Sequence, residues 1–138
     1  MENSNTMLKE QELKSDSLLF DRLEKNVKGT LTAILILGII RKEKRTYGWQ
    51  IKKKLKDVTK ADSYIKDSSL YTILRSLENN HGLVTSEMNN RRRYYSLTEL
   101  GQEEIPRAYH YWIDLILVSK EAFEKLDFET NIISNEVY

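Results

Sequence analysis

The chain has no cysteine among its 138 residues, so it can form neither a disulfide nor a thiolate metal site, and a reducing, cytoplasmic setting is expected. Its first residues, MENSNTMLKEQEL, lack the basic and then apolar order of a secretory signal. No apolar run approaches membrane length. The longest, Leu31 to Ile40, is interrupted by Thr32 and Gly38 and is about half the ~20 residues that a spanning helix needs. It reads as a buried helix. There is no glycine-rich loop to cradle phosphates. The two histidines, His81 and His110, fall in no recognisable metal or triad pattern with acidic partners. Catalytic residues, metals and cofactors are therefore not expected. His110 reads as a structural histidine, with a pH-sensitive interface as the lesser alternative.

Excess charge is nearly absent from the total, which is +1, but not from its parts. Met1 to Glu24 holds three basic residues against six acidic ones, and Glu99 to Tyr138 holds three against nine. Between them, Lys25 to Thr98 carries sixteen Lys or Arg against six Asp or Glu. A basic module lies between two acidic flanks, the pattern of a nucleic-acid partner rather than of evenly solvated helices.

The length suits one domain with extensions. We place the boundaries at 1–25 for an N-terminal helical extension, 26–98 for the basic module and 99–138 for a C-terminal helix and tail. In the extension, Met7, Leu8, Leu13, Leu18, Leu19, Phe20 and Leu23 make an untidy apolar stripe that needs a surface to lie on, with Asn3 to Thr6 frayed. Thr30 is the expected cap of the apolar helix that ends near Arg45. Trp49 to Asp57 resumes helical spacing, with Trp49, Ile51 and Leu55 on its apolar side.

Asp67 to Gly82, DSSLYTILRSLENNHG, is the segment on which the module centres. Asp67 suits a helix cap, and Leu70, Leu74 and Leu77 recur at helical spacing. Ser68, Ser69, Tyr71, Thr72, Arg75 and Asn79 then form a polar face with little acidity. Gly82 is placed to end the helix, and Leu83 to Met88 and Arg92 to Leu97 read as a hairpin turning at Asn89-Asn90. Arg91, Arg92 and Arg93 crowd that turn. Three helices followed by a basic hairpin describe a mainly α fold with a small β wing: a winged helix-turn-helix extended by a long C-terminal dimerisation helix. Thr98 caps that last helix, whose face of Ile105, Tyr109, Trp112, Ile116 and Phe123 is too apolar to remain uncovered in a monomer. Pro106 should kink or break it.

Lys28-Gly29, Tyr47-Gly48-Trp49-Gln50-Ile51, Ser69-Leu70-Tyr71 with Leu74, Arg75, Leu77 and Glu78, Gly82-Leu83-Val84, and Arg91 to Thr98 with Gly101 together resemble PadR-family transcriptional regulators, from about Lys28 to Leu126. The likeness is greatest to the smaller, multidrug-sensing members. It implies a homodimeric winged-helix repressor that binds double-stranded DNA at a palindromic operator. By position, Lys28, Tyr47, Lys66, Ser68, Ser69, Tyr71, Thr72, Arg75, Arg91, Arg92 and Arg93 would contact DNA. Tyr71 suits backbone positioning, and Arg75 suits base reading, since its fork matches the two acceptors of guanine. Tyr109, Trp112, Ile116 and Phe123 would form the dimer or ligand surface, where a small planar aromatic effector stacks on Trp112. A dimer core that buries Trp112 for stability alone is the other reading. A winged helix serving only protein contact or RNA is the competing function, but it would not need this concentration of basic residues.

Overall fold

The computed structural model describes residues 18–61 and 64–128. Asn3 to Thr6, where fraying is expected, the first half of the extension's stripe and the end of the tail lie outside them. An unbroken helical run begins with α1 (Leu18–Arg22), passes through one π-helical turn (Leu23–Lys28) and continues as α2 (Gly29–Glu43). Thr30 is thus not a cap. A cap residue needs extended backbone, whereas Lys28 and Gly29 both hold right-handed helical dihedrals, and the Thr30 hydroxyl donates back to the Asn26 carbonyl at 2.5 Å. Leu18, Leu19, Phe20, Leu23 and Val27 of this rod are exposed.

Strand β1 (Thr46–Tyr47) leads into α3 (Gly48–Thr59), and α4 (Asp67–Asn79) follows. Leu70, Leu74 and Leu77 bury the inner face of α4 against Ile36 and Ile40 of α2 and against Ile51 and Leu55 of α3, in the one core of the described residues. Trp49 does not join them. Ile51 and Leu55 lie four residues apart and define the buried stripe, which leaves Trp49 62% exposed with the Lys53 ammonium 5.6 Å from its ring centre. Asp67 is likewise not the cap of α4. Lys66 holds the extended cap position, and Asp67 begins the helix, where its carboxylate pairs with Lys52 and suits the positive helix end.

Strands β2 (Val84–Asn89) and β3 (Arg92–Leu97) form the hairpin, and β1 adds to it in the order β1-β3-β2, all antiparallel. Gly82 has φ +65°, the left-handed conformation expected of it. The turn is one residue later than the sequence suggests: Asn89 pairs with Arg92, and Asn90 and Arg91 carry φ of 52° and 67°. Two consecutive positive values make a primed hairpin turn, in which glycine is the favoured second residue. Arg91→Gly should therefore raise stability by about 0.5–1 kcal/mol, read from the denaturant midpoint. An unchanged or lower midpoint would refute the turn assignment.

Helix α5 (Glu99–Lys125) is capped by Thr98, whose hydroxyl accepts from the Gly101 N–H at 3.0 Å. The helix continues through Pro106 without a break. Proline removes one ladder bond and crowds one turn, which does not terminate a helix of 27 residues. Only Gly101 and Ile105 of α5 are buried. Leu115, Ile116, Leu117, Val118 and Phe123 stand exposed.

Candidate nucleic-acid interface

Burying the leucines of α4 turns its other side outward. Ser68, Ser69, Tyr71, Thr72 and Arg75 are all exposed there, with Lys66 at the entrance to the helix. Tyr71 is held from behind. Its ring and hydroxyl sit so close to Gly48 that a Cβ at Gly48 would come 2.5 Å from the phenol oxygen, so the glycine makes room for the tyrosine at the start of α3. The Thr72 hydroxyl is spent on the Ser68 carbonyl at 2.8 Å.

Beside the first turns of α4 lies an open groove of about 610 Å³, walled on one side by Lys25, Lys28 and Gly29 and on the other by Lys66, Ser68, Ser69 and Thr72. It brings five of the residues named from sequence (Lys28, Lys66, Ser68, Ser69 and Thr72) onto one surface. Lys28 pairs with Glu24 at 3.6 Å and lies 4.9 Å from the centre of the Tyr64 ring.

The wing is held by a pair of tyrosines capped at each end by an arginine. Arg45 lies 4.0 Å over the ring of Tyr94, Tyr94 meets Tyr47 edge-on at 5.6 Å, and Arg92 lies 4.0 Å over Tyr47. The pairing of Tyr47 with Tyr94 across β1 and β3 creates this ladder, and Arg45 ends it by donating to Glu87 at 3.0 Å. Arg93 is engaged differently: it donates to the Ser86 hydroxyl at 2.9 Å, while Ser86 donates its N–H and O–H to Glu78 of α4 at 3.0 and 2.8 Å. The three neighbouring arginines thus have three settings. Arg91 stands exposed at the turn, Arg92 stacks on Tyr47 and Arg93 ties the wing to α4. Tyr95, behind them, is buried, which pushes its phenol above the usual tyrosine range and keeps it neutral.

The residues expected on the dimer or ligand surface separate. Trp112 and Tyr111 line an apolar groove of about 420 Å³ between α5 and α2, with Val27, Ala33 and Leu37 opposite and His81 and Glu104 at its polar margin. Tyr109, Ile116 and Phe123 do not line it. Tyr109 meets His110 edge-on at 5.4 Å, and Phe123 stacks on Phe128 at 5.3 Å. Among the described residues no cluster of His, Asp and Glu could hold a metal, and no helix is long and apolar enough to cross a membrane.

Sequence reading missed Lys25, Tyr64, Arg45, Tyr94 and Glu78 as parts of this surface. Alternation along β3 put Tyr94 beside Arg92, but only the two-residue strand β1 reveals what they stack on. Nothing in the sequence around Tyr64 marks that residue.

Known structures with the same architecture include a transcriptional regulator from Clostridium thermocellum, 28% identical, covering 72% of this chain and 94% of that one with a TM-score of 0.57. A PadR family regulator from Eggerthella lenta is 27% identical over 80% of this chain and 96% of its own, with a TM-score of 0.63. Another, from Clostridium difficile, is 26% identical over 69% and 96%, with a TM-score of 0.54. These relatives are regulators, not enzymes. The model of the transcriptional regulator PadR-like family matches residues 36–107, more than half of the sequence and most of the helix-turn-helix and wing, and the chain belongs to that family.

Proposed function

We propose that the protein is a repressor that binds a palindromic DNA operator as a homodimer. The observation that carries this reading is the outward face of α4: Ser68, Ser69, Tyr71, Thr72 and Arg75 are exposed together, beside Lys25, Lys28 and Lys66 and next to a wing tipped by Arg91. Phosphates fix the register of such a helix, through groups like Tyr71 and the serines, and base edges supply specificity through a fork like that of Arg75. The exposed apolar residues in the second half of α5 favour a second copy as partner. Two copies would set their α4 helices about one duplex turn, ~34 Å, apart on the operator. Occupying a promoter then blocks transcription.

The apolar groove at Trp112 supports a further element, relief of repression by a small planar aromatic molecule that stacks on the indole. A protein-only or RNA-binding winged helix accounts less well for the basic surface. A salt series with a random-sequence duplex tests the DNA reading, because each phosphate neutralised adds about 0.9 to the slope of log affinity against log salt. We expect a slope of several units and a dimer by sedimentation. Absence of binding at low salt would end the DNA reading, and a monomer at micromolar concentration would end the dimer. In the same cuvette a planar aromatic dye should quench the fluorescence of the wild type and not of Trp112→Phe, which retains Trp49. Equal quenching of both would remove the effector site.

A further inference from the structure

Tyr64 lies between α3 and α4 and belongs to neither helix, yet it joins the turn to α2 by two different contacts. Its hydroxyl is 3.3 Å from Thr32 Oγ1. Thr32 is only 1% exposed and spends its single hydroxyl hydrogen on the Lys28 carbonyl at 2.6 Å, so Tyr64 is the donor of the pair. The face of its ring meets the ammonium of that same Lys28 at 4.9 Å. One tyrosine therefore contacts the backbone of residue 28 through Thr32 and its side chain through the ring.

The consequence depends on where Lys28 stands. Its ammonium lies 3.6 Å from Glu24, and both side chains line the groove whose far wall is Lys66, Ser68, Ser69 and Thr72. Pairing with Glu24 alone would leave the cation neutralised by a carboxylate. An aromatic face attracts a cation without bringing a negative charge, so it holds the ammonium at the groove while leaving its charge available to a phosphate. Ile65 and Lys66 follow Tyr64 directly and lead into Asp67, so the same anchor fixes the entrance to α4.

We infer that Tyr64 is a positioning residue for DNA binding: it presents the Lys28 ammonium and the first turn of α4 to the same backbone phosphate. The inference rests on the DNA reading above and adds to it a residue that touches no DNA itself.

The test uses the full chain and a random-sequence duplex of about 24 base pairs, roughly two helical turns. Tyr64→Leu should weaken binding about tenfold, the upper part of what a lost cation–π contact produces. It should also lower the salt slope by about one, the change expected of Lys28→Ala as well. Combining the two substitutions should weaken binding no further than Lys28→Ala alone. Tyr64→Phe, which keeps the ring and loses the bond to Thr32, should retain the wild-type slope. A Tyr64→Leu protein with a lowered melting temperature but wild-type affinity and slope would make Tyr64 merely structural and overturn the inference while leaving the DNA reading intact. Additive losses in the double variant would also overturn it. If the wild type binds no duplex at all, the DNA reading itself fails.

Discussion

Gly101→Ala should destabilise the protein by about 3 kcal/mol, the upper range for forcing a methyl into a filled site. The new Cβ would fall on the backbone of Leu83, onto its carbonyl oxygen and within 3.1 Å of its carbonyl carbon, with Leu97 Cδ2 at 3.3 Å on another side. A side chain could swing away. A backbone carbonyl cannot, least of all this one, because it accepts the Thr98 N–H at 3.1 Å. Thr98 also donates its hydroxyl to the Gly82 carbonyl at 2.6 Å and accepts from the Gly101 N–H. The start of α5 is thus fastened to the junction of α4 and β2 at two points, Leu83 and Gly82, and a methyl at position 101 must part them or bend the helix. Chemical denaturation measures the cost, with Gln102→Ala, an exposed neighbour, as the control expected within about 0.5 kcal/mol of wild type. A loss at Gly101 as small as the control's would show that the two backbones are not in contact.

That junction also shows what could be read without coordinates. Thr98 as a cap and Gly82 as a left-handed residue follow from local chemistry, since each needs only its own backbone and side chain. Leu70, Leu74 and Leu77 announce the inner face of α4 by spacing alone, and its outer face follows by exclusion. Where the outcome depended on a partner distant in sequence, local signals failed. Trp49 is apolar, but the stripe set by Ile51 and Leu55 leaves it outside. Asn89-Asn90 suits a tight turn by composition, yet the register of β3 against both neighbours moves the turn to Asn90-Arg91. Thr30 suits a cap, but the run from Leu18 never leaves helical conformation, so there is no end for it to close. The polar residues of α4 were legible as a set. The groove they share with Lys25 and Lys28 was not, because it exists only where α2 passes the entrance to α4. Trp112 and Tyr109 looked equivalent on one apolar face, and only the approach of α2 separates the residue that lines a groove from the one left outside it.

Arg75 should prove the main source of sequence discrimination. On a site selected from a random pool, Arg75→Ala should cost about 1–3 kcal/mol, or roughly five- to 150-fold in affinity, while binding to random duplex weakens far less. Ser68, Tyr71, Thr72 and Arg75 recur at helical spacing and are all exposed on the outer face of α4. Of these, Tyr71 is braced against Gly48, and Thr72 has its hydroxyl hydrogen on the Ser68 carbonyl. Among the described contacts, Arg75 has no hydrogen bond or ion pair holding its guanidinium. It is also the member of the set able to make two parallel bonds to guanine. Lysine keeps the charge but not the fork, so Arg75→Lys should recover the random-duplex affinity and not the discrimination. The contrast is with Arg91, exposed at the wing turn, whose loss should weaken all sequences alike and reduce the salt slope by about one. If Arg75→Ala instead lowers specific and random binding equally, Arg75 is a phosphate contact, and the base reading must come from the serines at the start of α4 or from the shape of the duplex.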